Sequence, residues 1–384
     1  MAGASVRDFE GIPDFPYEVE SEDGGARAGA LQTPRGRVLT PCFMPVGTKG
    51  SVKAMSPERL RGIGAEILLA NTYHLALRPG SETVRRLGGL HRFMAWDGPL
   101  LTDSGGYQVF SLRDTVRLDD AAAEFQSIYD GSHQVFTPER AMAEQAALGA
   151  DIVMCLDQCP PGSAEEEVLS EAVERTTKWA RRCKRAHQER NGIGTDGPQM
   201  LFGIVQGGVE VGLRRKSVEK LLEIGFPGYA IGGLSVGEDT SLTMETAGLV
   251  ASLLPAERVR YLMGIGDPGG VIDAIAQGVD MFDCVLPTRT ARTGTAFTRG
   301  GRLNLRNSEY AVSSEAIEAD CPCTACTTFS RGAIRHLIRQ KEILGLALLT
   351  EHNLAHLARL VREAREAILQ GRFAAFHRQT RGSC

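Results

Sequence analysis

The chain has 384 residues, of which 42% are hydrophobic and 23% charged, an ordinary globular composition with enough length for a large core. A net charge of -4 and a pI near 6.1 exclude a uniformly basic nucleic-acid binder, so any polyanion must meet a local Lys/Arg patch. No run of about eighteen apolar residues is present, which excludes a membrane-spanning helix. The first ten residues also lack the basic start and apolar stretch of a secretory leader, so a cytoplasmic protein is expected.

In chain order, residues 17–33 and 37–43 read as extended segments joined by the turn T-P-R-G, predicting a small N-terminal antiparallel hairpin. The pattern then changes. Ser56-Pro57-Glu58-Arg59 sets a helix N-cap with proline at the first helical position, and a buried strand follows at residues 65–71. The same phrase recurs at Thr137-Pro138-Glu139-Arg140, with Gly149 ending the helix and residues 151–157 forming the strand. Repetition of helix, glycine and apolar strand is how parallel βα architecture reads in a sequence.

Eight apolar runs qualify as strands: 42–46, 67–71, 100–103, 152–157, 201–206, 229–233, 261–266 and 281–286. Eight is the number a closed (β/α)8 TIM barrel requires. Amphipathic helices are expected between them at 165–190 and 212–224, and a surface loop at 191–198. Asn71, Asp103, Asp157, Gln206, Gly232, Gly233 and Asp283 stand where these strands give way to loops. In a barrel those strand ends share one face. A half-buried carboxylate costs several kcal/mol unless it is paired or used.

The stretch from Asp280 to Gly294 sets apolar residues between two acids, is stopped by Pro287, and carries Arg289 and Arg292 into what reads as a Gly/Thr-rich loop. Asp283 then has water on one side and low dielectric on the other, so its ionisation is tunable. Downstream, Cys321, Cys323 and Cys326 pack three thiols into six positions. Nine cysteines, an odd number, suit a reducing compartment and a metal better than a disulfide framework. C-x-C-x-x-C plus a later imidazole supplies the Cys₃His set of a closed structural zinc site, and His336, His352 and His356 all qualify by composition as the fourth ligand.

Taken together, L-T-D-S-G-G-Y-Q (101–108), N-T-Y-H-L (71–75), I-G-G-L-S-V-G-E (231–238), M-F-D-C-V-L-P-T-R (281–289) and the cysteine group resemble the bacterial tRNA-guanine transglycosylases, a likeness running from about residue 28 to about residue 373. The resemblance implies one (β/α)8 catalytic domain over residues 1–384, with a zinc-binding insertion at 304–356. It implies exchange of the wobble guanine of GUN-anticodon tRNAs for the 7-deazaguanine preQ1, on the route to queuosine, through a covalent enzyme–RNA intermediate.

By the same resemblance Asp283 is the nucleophile and Asp103 the general acid/base. Asp157, Gln206 and the Gly233 N–H read the base, with Ser104 beside them. Tyr107 and Met263 sandwich it, and the Leu234 carbonyl, supported by Glu238, accepts the aminomethyl group. Arg289 and Arg292 contact the anticodon loop. Cys321, Cys323, Cys326 and His352 hold one Zn2+ per chain, and the protein is a homodimer with Phe329 and His336 as candidate interface residues. The chain departs from the family pattern at Gln158, where an acid is common, and at Asp267, where a basic residue is common, which bears on base preference. Competing readings keep the chemistry with queuine or a DNA target, or make the chain a non-catalytic RNA-binding paralogue. The presence of both Asp103 and Asp283 speaks against the last.

Overall fold

The computed structural model describes residues 7–106 and 116–382. All eight apolar runs form strands. They are Cys42–Met44 continuing into Val46–Gly47, Leu68–Ala70, Leu100–Thr102, Ile152–Met154, Met200–Val205, Gly228–Ile231, Val259–Leu262 and Met281–Asp283. Neighbours in sequence pair in parallel.

Closure turns on Pro45, which has no N–H to give a ladder and divides the first strand. Cys42–Met44 pairs with Met281–Asp283, with Asp283 opposite Met44. Val46–Gly47 pairs with Leu68–Ala70. One strand therefore borders both the second and the eighth, and the sheet shuts into a barrel.

Successive side chains of a strand point to opposite faces. Met44, Leu69, Leu101, Ile152, Ile204 and Tyr261 accordingly fill the barrel interior, while Phe43, Leu68, Leu100, Val153, Val205 and Phe282 pack against the helices. Burial on both faces is why these strands read as unbroken apolar runs rather than as alternation. Each fully buried side chain of this size contributes about 1.5–3 kcal/mol of transfer free energy.

The two repeated helix starts are built alike. Ser56 Oγ accepts from Arg59 N and Thr137 Oγ1 from Arg140 N, capping Pro57–Gly62 and Pro138–Leu148. Gly149 ends the second in the left-handed region, at φ 80°. The helices predicted at 165–190 and 212–224 are Glu166–Gln188 and Val211–Ile224.

The N-terminal element differs from the predicted hairpin. It is a three-stranded antiparallel sheet of Tyr17–Asp23, Ala26–Thr33 and Gly36–Thr40, because Gly24, at φ 64°, turns the chain inside what reads as one extended segment. Phe15, Leu31 and Val38 join the barrel-interior cluster, so this sheet plugs the end of the barrel where the strands begin. A buried ion pair between Arg27 and Asp280, with the Tyr17 hydroxyl donating to the same carboxylate at 2.9 Å, ties it there.

A second difference follows Asp283. The expected polar loop carrying Arg289 and Arg292 is a helix, Leu286–Arg292, with Pro287 in its first turn, where proline removes no helical hydrogen bond. The strand before it is correspondingly short, ending at Asp283. Within 191–198, Ile193–Gly194 and Gly197–Pro198 pair as a minimal hairpin.

Beyond the barrel, Thr324–Thr328, Arg331–Arg339 and the long Ile343–Leu369 helix enclose their own apolar cluster, which includes Leu305, Ile317, Ala325, Ile334 and Leu348. Among the described residues no helix is long and apolar enough to cross a membrane.

Candidate functional site

The strand ends meet as expected. Asp103, Asp157, Gly233, Met263 and Asp283 all line one cavity of about 370 Å³ at the C-terminal rim of the barrel, within the size range of small-ligand sites. They are delivered by five different strands, so no stretch of sequence contains the site.

Asp103 follows the Leu100–Thr102 strand and is held from the neighbouring strand end. The Thr72 N–H donates to its Oδ1 at 2.9 Å and the Asn71 amide donates to Oδ2. Asn71 also caps the Thr72–Leu77 helix through His74 N, so one residue fixes both the helix and the acid. Asp283 is held from the other side. Tyr261 O–H donates to its Oδ1 at 2.6 Å and the Gly264 N–H at 3.0 Å. Burial pushes the Asp283 carboxyl above the ordinary carboxylate range, and these two donors offset part of that shift. The Tyr261 phenol, desolvated and beside Asp283, titrates well above its usual range and remains a donor.

Asp157 has both oxygens engaged, accepting from Ser104 Oγ at 3.0 Å and Gln206 Nε2 at 2.7 Å. Burial raises its pKa as well. Ser104 lines the cavity, whereas Gln206 is fully buried behind Asp157 and Gly233, with its Oε1 unpartnered. A Cβ on Gly233, whose φ is 63°, would stand 2.1 Å from that oxygen, so only glycine permits this approach.

Leu234 and Val236 complete this wall. Glu238 folds back on the same loop, accepting from the Ser235 and Val236 N–H groups and from Thr243 Oγ1. It supports the loop that carries Leu234.

Arg289 reaches the cavity rim from the helix after Asp283. Arg292 does not; its guanidinium donates to the Thr288 carbonyl of its own helix at 2.9 Å. Tyr107 lies outside the described residues. Gln158 and Asp267, the two departures from the expected pattern, do not line the cavity. The Gln158 amide oxygen accepts from the Arg175 guanidinium, and Asp267 caps the Pro268–Ala276 helix by accepting from Gly270 N at 2.8 Å.

Tyr261 and the Asn71–Thr72 pair are the site residues whose roles sequence reasoning missed. A phenol in a strand that is buried throughout is the available signal, since a buried hydroxyl needs a partner.

Away from the cavity, the ligand atoms of Cys321, Cys323, Cys326 and His352 all lie within 4.8 Å of one another and could hold a metal ion. His352 Nε2 donates to the Phe297 carbonyl at 2.7 Å, which leaves Nδ1 facing the three sulfurs at 3.2–3.7 Å. Of the three candidate histidines only His352 faces the thiols. His356, one turn on, has Nδ1 3.6 Å from Glu318, and His336 is exposed.

A family model described as Queuine tRNA-ribosyltransferase matches residues 22–383. Among curated relatives, a queuine tRNA-ribosyltransferase of Pelotomaculum thermopropionicum is 52% identical over 362 residues, covering 94% of this chain and 96% of the relative. That of Novosphingobium aromaticivorans is 50% identical over 368 residues, with 94% and 96% covered. With this extent of match, added to a closed eight-stranded barrel whose strand ends gather Asp103, Asp157 and Asp283, the chain belongs to the queuine tRNA-ribosyltransferase family.

Proposed function

We propose that this transferase exchanges the wobble guanine of GUN-anticodon tRNAs for the 7-deazaguanine preQ1 through a covalent enzyme–RNA intermediate. The observation that carries the reading is the meeting of Asp103 and Asp283, 180 positions apart in the chain, in one cavity with Asp157.

Breaking an N-glycosidic bond without hydrolysis needs an attacking group at the sugar and proton management for the base, the two-carboxylate logic of retaining glycosidases. Asp283 attacks C1′. The C1′–N9 bond breaks, its electron pair leaves with guanine, and Asp103 supplies the neutralising proton. The incoming base returns a proton to Asp103, bonds to C1′ through N9, and expels Asp283. Partial burial keeps Asp283 less hydrated and more reactive than a surface carboxylate, while Tyr261 and Gly264 keep it aimed.

Asp157, held from behind by the Gln206 amide, accepts from the guanine N1–H and 2-amino groups, and the Gly233 N–H serves O6. Met263 and Tyr107 stack on the ring. Cys159 and Val236, both on the cavity wall, leave less room for a bulky substituent than for an aminomethyl group held at the Leu234 carbonyl. The base must leave its stack to enter such a cavity, which suits a loop nucleotide. Arg289 meets the flanking anticodon-loop backbone, and Arg292 extends the same basic helix.

The Cys₃His cluster fits zinc. Tetrahedral bonds of about 2.3 Å to sulfur and about 2.0 Å to nitrogen place S and N about 3.5 Å apart, against the 3.2–3.7 Å found. With four protein ligands such a site supplies folding energy rather than chemistry. We read residues 304–356 as the zinc-binding insertion, and the half-buried Phe329 and exposed His336 as lying on the face where a second copy docks.

Incubation with tRNA and separately labelled bases tests the reading. Incorporation of preQ1 with release of guanine is expected. Incorporation of queuine but not preQ1, or of neither base, would reject it.

A further inference from the structure

Arg214 is out of place in its helix. Val211–Ile224 turns Leu213, Ser217, Val218 and Leu221 inward, and Arg214 shares that buried face with no exposure at all. A guanidinium is rarely buried without a carboxylate to pair with. Here its hydrogen bonds go to four backbone carbonyls: Nε to Gly208 at 2.7 Å, NH1 to Val205 at 3.0 Å and to Gly232 at 2.8 Å, and NH2 to Gly233 at 3.1 Å. Burial holds its pKa down at about 10, so it is a cation at neutral pH. One turn further on, Ser217 Oγ accepts from Gln206 N at 3.1 Å. The helix thus fastens the ends of two adjacent strands.

Two of those carbonyls belong to peptides on the cavity wall. In a trans peptide C=O and N–H point in opposite directions, and neither peptide joining Gly232, Gly233 and Leu234 is cis. With both oxygens drawn back onto Arg214, the Gly233 and Leu234 N–H groups are turned the other way. Gly232, Gly233 and Leu234 line the cavity, and Arg214 does not. A positive charge at the oxygen end of a peptide also makes its N–H the stronger donor.

We propose that Arg214 is a positioning residue for base recognition: its guanidinium aims and polarises the Gly232–Gly233–Leu234 backbone so that its N–H groups meet the 6-oxo group of a purine and the negative charge that grows there as the base departs. The inference rests on the base-exchange reading above, which gives the Gly233 N–H to O6, and adds to it the residue that aims and strengthens that donor. Lysine at this position would keep the charge but could not span four carbonyls.

The test measures competitive inhibition of the full-length enzyme by guanine and by 2-aminopurine, which keeps the exocyclic amine but lacks O6 and the N1–H that goes with it, in the wild type, Arg214→Met and Arg214→Lys. The wild type should prefer guanine. In Arg214→Met that preference should shrink by about ten-fold, with 2-aminopurine affinity and the KM for tRNA held within about two-fold, the signature of a weakened contact to O6 alone. Arg214→Lys should lose part of the preference. A folded Arg214→Met that weakens both bases equally, or leaves the preference intact, overturns the proposal. If Arg214→Met does not fold, an unchanged preference in folded Arg214→Lys overturns it. A wild-type enzyme that fails to distinguish the two bases rejects the base-exchange reading itself.

Discussion

The Tyr261 hydroxyl donates a 2.6 Å hydrogen bond to Asp283 Oδ1 across adjacent parallel strands, in which Tyr261 is paired with Met281, two residues before the acid. That bond favours the carboxylate, whereas burial favours the neutral acid. Replacing Tyr261 with Phe removes a lowering influence, so the Asp283 pKa rises further. The acid limb of the kcat/KM profile should move to higher pH, with about ten-fold of activity lost at the low end and recovered as pH increases. A pH–rate profile superimposable on the wild type would show that the phenol does not tune Asp283.

Asp283→Asn should abolish the denaturation-resistant protein–tRNA adduct and lower kcat at least about 10³-fold. Its stability should move the other way. A carboxyl whose folded pKa is raised contributes stability that is full below its unfolded pKa and is lost as pH rises through the folded value. The neutral amide, still able to accept from Tyr261 and Gly264, escapes that loss. Thermal melts should show Asp283→Asn with the higher Tm at neutral pH, and the difference should vanish below about pH 4, the ordinary carboxylate range. An adduct of normal yield in this variant would remove Asp283 as nucleophile.

Asp103→Asn keeps the shape that Asn71 and Thr72 hold but cannot carry a proton. Steady-state kinetics should show kcat reduced about 10²–10⁴-fold with the KM for tRNA nearly unchanged, the size expected for general acid/base catalysis. A loss confined to KM would make Asp103 a binding residue.

Metal analysis should find about one zinc per chain, and chelation should lower Tm before it lowers activity at moderate temperature. Cys323→Ala should do the same. Protein stripped of metal that melts unchanged would leave the cluster without a structural role.

Asp267→Ala should cost about 0.5–2 kcal/mol of stability, as loss of a helix N-cap does, and leave base preference unaltered, because the carboxylate is committed to Gly270 N. A changed preference in the base-exchange assay would give Asp267 a part in recognition that its hydrogen bond does not suggest.

Asp280 and Asp283 show how far a linear reading reaches. Three residues apart, one just before a strand and the other at its end, they border the same short apolar run. The fold sends one to each end of the barrel: Asp280 to a buried lock with Arg27 and Tyr17, Asp283 to the cavity. Chain order already set Asp283 at the loop end of its strand, and the resemblance to a known family then gave it a role. Likewise, composition left three histidines for the cysteine cluster. The helix settles the matter, since a single orientation puts the His352 ring over the thiols while His356 points to Glu318.

The sequence by itself determined what depends on local physics. Apolar runs bounded by caps and glycines specified eight parallel strands, the Ser56 and Thr137 caps placed two helices, and three closely spaced cysteines marked the cluster that could hold a metal ion. The tertiary structure alone decided which partners act on each functional group. Tyr261 on Asp283, Asn71 and Thr72 on Asp103, Gln206 behind Gly233 and Arg214 behind its carbonyls are contacts between separate strands and helices, and nothing in the spacing of residues along a chain encodes them. The division has a physical cause: burial and capping act over a few bonds, whereas barrel closure at Pro45 brings the eighth strand beside the first, and only then do acids distant in sequence share one cavity.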